Sequence, residues 1–85
     1  MTQSQASLRA EATTFGALLR RYRRAAGLTQ EALAARAGQS RRGLQHLEAG
    51  DALPHPATLE ALTAALDLPP EDQAELWAAG GRSPP

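Results

Sequence analysis

The 85-residue sequence contains no cysteine, valine, isoleucine, lysine or asparagine. Without cysteine it has neither disulfide bonds nor cysteine-based zinc sites. No segment approaches the run of about 18 consecutive apolar residues that spans a membrane. The first residues also lack the basic and then apolar pattern of a secretory signal. We therefore expect a cytoplasmic protein with no membrane partner.

The apolar residues that are present favour helices. The chain has 19 alanines and 13 leucines, and hydrophobic residues make up 42% of it. Alanine and leucine lead the scale of helix propensity, whereas strands prefer the β-branched and aromatic residues that are scarce here. The length corresponds to about one small domain. The composition thus predicts an all-α domain with one modest core.

The charges are balanced overall but divided along the chain. Residues 1–50 carry eight arginines and three acids, for a net charge of +5, and residues 51–85 carry one arginine and six acids, for −5. A basic half of this kind suggests a polyanionic partner such as a nucleic acid. The alternative is that the charges merely segregate along the chain.

Capping and breaking residues predict five helices. The first three extend from an N-cap candidate to a glycine: Thr14 to Gly27, Thr29 to Gly38, and Ser40 to Gly50. The fourth begins at Pro56 and the fifth at about Pro70, because proline is tolerated in the first turn of a helix. The second and third helices are short and lie about three residues apart, which is the pattern of a helix-turn-helix.

These signals divide the chain into three parts. Residues 1–13 are mostly small and polar and are expected to form a flexible N-terminal arm. Residues 14–80 hold the predicted helices and form the domain. Residues 81–85 are rich in glycine and proline and are expected to be a linker or tail. Such an ending suits a module of a longer protein, although a short natural protein is the alternative.

The third predicted helix has an apolar side and a polar side. At about 100° per residue, Leu44 and Leu47 define the core side. The opposite arc surrounds Ala49 and carries four side chains suited to base edges and phosphates: Arg41, Arg42, Gln45 and His46. Arginine reads guanine and glutamine reads adenine in the major groove. The alternative is an ordinary solvated polar face.

A buried ion pair is the second feature that the helical wheel predicts. Glu48 falls at the margin of the core side of the third helix, where an unpaired carboxylate is costly. Arg23 lies at the corresponding margin of the first helix and is the candidate partner. The alternative is that both side chains reach water.

A set of residues spread over the predicted helices forms a combined pattern: Thr29-Gln30-Glu31, Leu33-Ala34, Ala37-Gly38, Ser40, Leu44, Leu47-Glu48, Gly50, Pro54, Thr58-Leu59, Leu62, Ala65-Leu66 and Leu68. This pattern resembles the lambda-repressor-like (Cro/XRE) helix-turn-helix domain, in the variant that opens multidomain bacterial regulators. The resemblance covers about residues 14–80.

The resemblance implies a five-helix DNA-binding domain whose third helix enters the major groove. Gln30 and Ser40 would then contact phosphates, and Arg23 with Glu48 would form a structural ion pair. The residues that would face the bases are Arg41, Arg42 and His46, with Gln45 reaching base or backbone. The chain departs from the family at Gly43, Ala49 and Asp51. These departures reduce the expected number of phosphate contacts.

From this pattern we expect sequence-specific binding of double-stranded DNA by a transcriptional regulator. The alternative is a protein-interaction module, such as an antitoxin, an adaptor or an autoregulatory domain, that kept the fold with weak or no DNA binding. No catalytic set is recognisable, and two histidines without cysteine do not suggest a metal, so we expect neither an enzyme nor a cofactor. Partner candidates besides DNA are a second copy of the chain or further domains. Trp77 is expected in the core, with an aromatic anchor at such an interface as the alternative.

Overall fold

Five helices make up the part of the chain that the computed structural model describes, residues 14–82. They are α1 (Phe15–Ala25), α2 (Gln30–Ala37), α3 (Arg41–Ala49), α4 (Pro56–Leu66) and α5 (Pro70–Ala79). This range contains no strand, so the all-α prediction is confirmed. It also contains no helix of the length and hydropathy needed to cross a bilayer. The predicted arm and residues 83–85 lie outside the described residues.

The predicted N-caps set where the first three helices begin. The hydroxyl of Thr29 accepts a hydrogen bond from the backbone N–H of Ala32 at 3.0 Å, and that of Ser40 accepts from Gly43 at 2.9 Å. Thr14 accepts more weakly, from Ala17 at 3.4 Å. Each bond satisfies one of the N–H groups that have no partner in the first turn of a helix.

Left-handed residues end the helices where the sequence placed glycines. Gly38 and Gly50 have φ values of 66° and 83°, a conformation that costs other residues energy. The first helix ends slightly earlier than predicted, since its cap is Ala26 and Gly27 follows it with φ 71°. Asp67 takes the same left-handed conformation after α4, with φ 52°, although it carries a side chain.

A leucine core joins all five helices. Seven leucines are almost completely buried: Leu18, Leu19, Leu33, Leu44, Leu59, Leu62 and Leu76. Trp77 lies in the same core, as the sequence predicted, with 5% of its surface exposed. The helix-turn-helix pair packs on the rest of the domain through α3 against α1 and α2 against α4, and α5 packs against α1 and α4. Hydrogen bonds extend to Arg82, whose guanidinium donates to the carbonyl of Pro54 at 3.3 Å, two residues beyond the predicted domain end.

Gly16 allows α1 and α3 to approach closely. A Cβ atom at this buried position would lie 2.7 Å from the carbonyl oxygen of Leu47 and even closer to that of Glu48. Both neighbours are backbone atoms, which cannot rotate away. Glycine is therefore required here by the packing of the two helices, a role that was not predicted from the sequence.

We predict that Gly16→Ala destabilises the domain by about 1–3 kcal/mol, the usual cost of overpacking a core. Urea denaturation monitored by helical circular dichroism measures the change. Gly43→Ala is the matched control, because a Cβ there meets only the side-chain hydroxyl of Ser40, at 3.0 Å. An equal or smaller loss of stability in Gly16→Ala than in the control would contradict the close-packing account.

Candidate nucleic-acid interface

The two sides of α3 are sharply separated. Leu44 and Leu47 are 0% and 7% exposed and face the core. The four side chains predicted to contact bases are all exposed: Arg41, Arg42, Gln45 and His46. The structure thus brings the predicted base-contacting set together on one outward face, and no described part of the domain covers the arginines.

The short connection between α2 and α3 fixes where this face begins. The left-handed Gly38 reverses the chain after α2, and the N–H of Gln39 donates to the carbonyl of Ala34 at 2.8 Å. Ser40 then caps α3. Its hydroxyl oxygen is used as an acceptor in the cap, which leaves the hydroxyl hydrogen free to donate to a phosphate.

Arg23 and Glu48 are in direct contact inside the domain. The Nε of Arg23 donates to Oε2 of Glu48 at 2.7 Å, and Nη2 donates to Oε1 at 3.1 Å. The side chains are 11% and 1% exposed, so the pair that the sequence predicted between α1 and α3 is buried. The third donor group of Arg23, Nη1, bonds the carbonyl of Leu28 at 3.0 Å. Bidentate geometry of this kind fixes orientation as well as distance.

Gln30 extends this contact to the outward face of α3. Its Nε2 donates to Oε1 of Glu48 at 3.1 Å, while its Oε1 accepts from Nε2 of Gln45 at 3.4 Å. Gln30 was expected to contact phosphate, and the sequence did not predict these bonds. One N–H of its amide remains for a phosphate, since a side-chain amide has two. Gln30 therefore links the buried carboxylate to a side chain predicted to contact DNA.

The environment of Glu48 favours its charged form. Burial opposes ionisation, but hydrogen bonds from Arg23 and Gln30, together with the positive charges of Arg23 and Arg20, outweigh it. The pKa of the carboxyl consequently lies below its ordinary value of 4.5. Arg20 is partly exposed, with its Nε 3.6 Å from Oε1 of Glu48. The carboxylate is thus held as an anion by groups from α1 and α2.

A polar groove opens beside these residues. It has a volume of about 410 Å³ and is lined by Arg23, Thr29, Gln30, Glu31 and Arg41. The groove lies at the N-terminal ends of α2 and α3, where backbone N–H groups without partners favour anions. The guanidinium of Arg41 adds a positive charge. This combination suits a phosphate group, although Glu31 opposes it.

The C-terminal end of α3 holds a contact that the sequence did not predict. Nδ1 of His46 lies 3.3 Å from Oδ2 of Asp51. Asp51 was expected only to weaken DNA binding as an acid near the phosphates. Helical periodicity could not show the contact, because Asp51 follows the end of the helix.

Three of the six acids in the second half of the chain lie away from this contact. Glu71, Asp72 and Glu75 belong to α5, which packs on α1 away from the outward face of α3. Burial, followed by the nearby carboxylates of Glu75 and Asp72, raises the pKa of Tyr22 on α1 to about 12.

No group of three or more metal-ligating side chains occurs within residues 14–82.

Comparison with known proteins gives one match. A family model described as a helix-turn-helix domain matches residues 14–76, a range that runs from the N-cap of α1 into α5. No curated protein and no solved structure matches the chain. The matched range contains every residue that was predicted to lie at the candidate interface.

We predict that acid weakens the domain partly through Glu48. A carboxyl whose pKa is lower in the folded state stabilises the fold above its ordinary pKa, and this contribution is lost as the pH falls below 4.5 through the depressed value. The unfolding free energy of Glu48→Gln should therefore fall less steeply with pH in this acid range than that of the unmodified protein. Urea denaturation at a series of pH values measures both slopes.

The exposed Glu60→Gln is the matched control for the removal of one carboxyl group. If the two variants showed the same pH dependence, the stabilisation of ionised Glu48 by its buried contacts would be disproved.

Proposed function

Because the chain belongs to the helix-turn-helix domain family, we propose that it binds double-stranded DNA sequence-specifically and acts as a transcriptional regulator in the bacterial cytoplasm. The observation that carries the proposal is the outward face of α3, where two arginines, a glutamine and a histidine stand exposed on a helix whose other side is buried. A helix of this kind fits the major groove of B-DNA. The proposal includes no enzymatic step and no cofactor.

The base contacts are assigned to the outward face of α3. Arg41 and Arg42 supply donor pairs that match O6 and N7 of guanine, and Gln45 matches N6 and N7 of adenine. His46 lies one helical turn after Arg42 and is the fourth residue of the base-contacting set. Nε2 of Gln45 donates to Oε1 of Gln30 at 3.4 Å, which leaves the second N–H and the carbonyl oxygen of Gln45 for a base.

The phosphate contacts are assigned to the N-terminal ends of the helix pair. Gln30 and Ser40 each retain a free donor, and Arg41 lines the polar groove together with Gln30. Contacts of this type set the register of a protein on DNA but carry no sequence information. Ala49 and Gly43 supply no polar side chain for further ones.

Useful specificity requires more than one domain. A single module of this size buries only about 600–1,000 Å² on DNA. We propose that two copies, either as a homodimer or as parts of longer chains, bind half-sites about 34–36 Å apart.

The alternative function is a protein-interaction module that kept the fold with weak or no DNA binding. One structural observation favours it. Leu53, in the loop after α3, is 70% exposed beside a groove that also contains Phe15 and Leu47. Electrophoretic mobility shifts at low salt, with random and genomic DNA, separate the two functions. Retarded DNA supports DNA binding, and its absence with every duplex supports the interaction module.

We predict that Arg41→Ala and Arg42→Ala each weaken binding to a selected operator by about 1–3 kcal/mol for each guanine that the arginine reads. Titration of a fluorescent duplex measures the dissociation constants. Arg36→Ala is the matched control, because it removes the same charge from an exposed arginine outside the proposed base-reading set. Operator binding at full strength by both variants would contradict the assignment.

We also predict that binding depends only shallowly on salt. The logarithm of the association constant falls with the logarithm of salt concentration by about 0.9 per neutralised phosphate. The few phosphate contacts assigned here give a slope far from the value of about −10 seen for extensive binders. The same titration, repeated at several salt concentrations, measures it. A slope near that extreme would show that the phosphate-binding surface is much larger than proposed.

A further inference from the structure

The contact between Asp51 and His46 lies beside the outward face of α3 and has no part in the functions assigned above. Nδ1 of the imidazole and Oδ2 of the carboxylate are 3.3 Å apart. The two side chains are 53% and 64% exposed, so both lie at the surface beside the proposed DNA-binding face. The contact therefore combines a candidate base-reading side chain with an acid that cannot itself bind phosphate.

The end of α3 places Asp51 beside His46. Gly50 takes the left-handed conformation at φ 83° and turns the chain back. The N–H of Asp51 then donates to the carbonyl of His46 at 3.0 Å. The backbone of Asp51 is thus hydrogen-bonded to the same residue that its carboxylate contacts. This fixes where the side chain of Asp51 begins relative to His46.

The chemistry of the pair determines which ring nitrogen of neutral His46 carries the proton. A carboxylate only accepts hydrogen bonds, so Nδ1 must be the donor in this contact. A neutral imidazole has one donor and one acceptor nitrogen, and Nε2 is consequently left with a lone pair. Nε2 makes no hydrogen bond to the described residues, and His46 is 53% exposed.

We propose that Asp51 is a specificity-determining residue that acts through His46 by making Nε2 a hydrogen-bond acceptor. In the major groove, the donors that such an acceptor reads are the amino groups of cytosine and adenine, whereas guanine and thymine present oxygen acceptors. At the operator position that His46 contacts, the domain should therefore prefer cytosine or adenine over guanine or thymine. This inference rests on the proposed function, because it assumes that α3 faces base pairs.

The first test uses the free protein. Two-dimensional NMR that correlates imidazole protons with ring nitrogens, recorded in mildly alkaline buffer, reports which nitrogen is protonated. The expected result is a proton on Nδ1 of His46 in the unmodified protein and a shift toward Nε2 in Asp51→Ala. His55, the N-cap residue of α4, is an internal reference whose signals should not respond. A proton on Nε2 of His46 in the unmodified protein would overturn the proposal.

The second test measures base preference. Duplexes selected from a random pool in the same buffer give a preferred operator, and dissociation constants for single base-pair changes locate the position read by His46. Asp51→Ala should reduce the preference at that position about fivefold to tenfold and leave the other positions unchanged. His46→Ala should remove the same preference, and the double variant should equal His46→Ala.

The double variant separates positioning from simple charge repulsion. If Asp51→Ala changed base preference equally with and without His46, Asp51 would act on DNA directly and the proposal would be wrong. An unchanged preference in Asp51→Ala would overturn it as well. Asp51→Ala keeps the backbone N–H that bonds the end of α3. Thermal unfolding verifies that this variant is folded. If it does not fold, Asp51→Ser takes its place in the same measurements.

Failure of the proposed function is distinguishable from failure of this inference. If no duplex bound the unmodified protein, DNA binding itself would be disproved, and the proposed base selection with it. If Arg42→Ala weakened binding to the duplex while Asp51→Ala left base preference unchanged, DNA binding would stand and only the proposed role of Asp51 would be disproved.

Discussion

The buried contact of Arg23 with Glu48 is the constraint on which the presentation of α3 depends. One carboxylate, 1% exposed, receives bonds from α1 through Arg23 and from α2 through Gln30. Removing one member of a buried pair typically costs about 3–5 kcal/mol, since the other charge stays buried without a partner. The pair therefore fixes the rotation of α3 about its own axis relative to α1. The arginines at the start of α3 face outward because Glu48 faces inward.

Backbone contact reinforces this constraint. Gly16 lets α1 reach the carbonyl groups at the end of α3, and the capped turn between α2 and α3 fixes its beginning. The helix is consequently held at both ends and along one side, while its outward side chains remain unpacked. A binding surface places its side chains accurately only when a rigid scaffold supports them. The chain meets that requirement with a core of leucine and alanine side chains together with Phe15 and Trp77.

Much of this arrangement was predictable because it depends on local chemistry. Thr29, Ser40 and Gly38 mark helix ends through hydrogen bonding and backbone freedom, which act within a few residues. Helical periodicity placed Leu44 and Leu47 on the buried side of α3.

The features that escaped prediction depend on distances between elements. Periodicity within α1 cannot show that the backbone of α3 lies against Gly16. The bond from Gln30 to Glu48 joins two helices at an angle that only their packing defines. The contact of Asp51 with His46 arises where the chain turns after α3, beyond the reach of a helical wheel.

An amide NMR titration of the domain with a short DNA duplex tests most directly whether the outward face of α3 meets DNA. Chemical shifts should change chiefly at the start of α2, around Gln30, and along α3 from Ser40 to His46, while those of α5 stay unaffected. Changes centred on α5 or on the loop around Leu53, with α3 unperturbed, would contradict the assignment of DNA binding to this face.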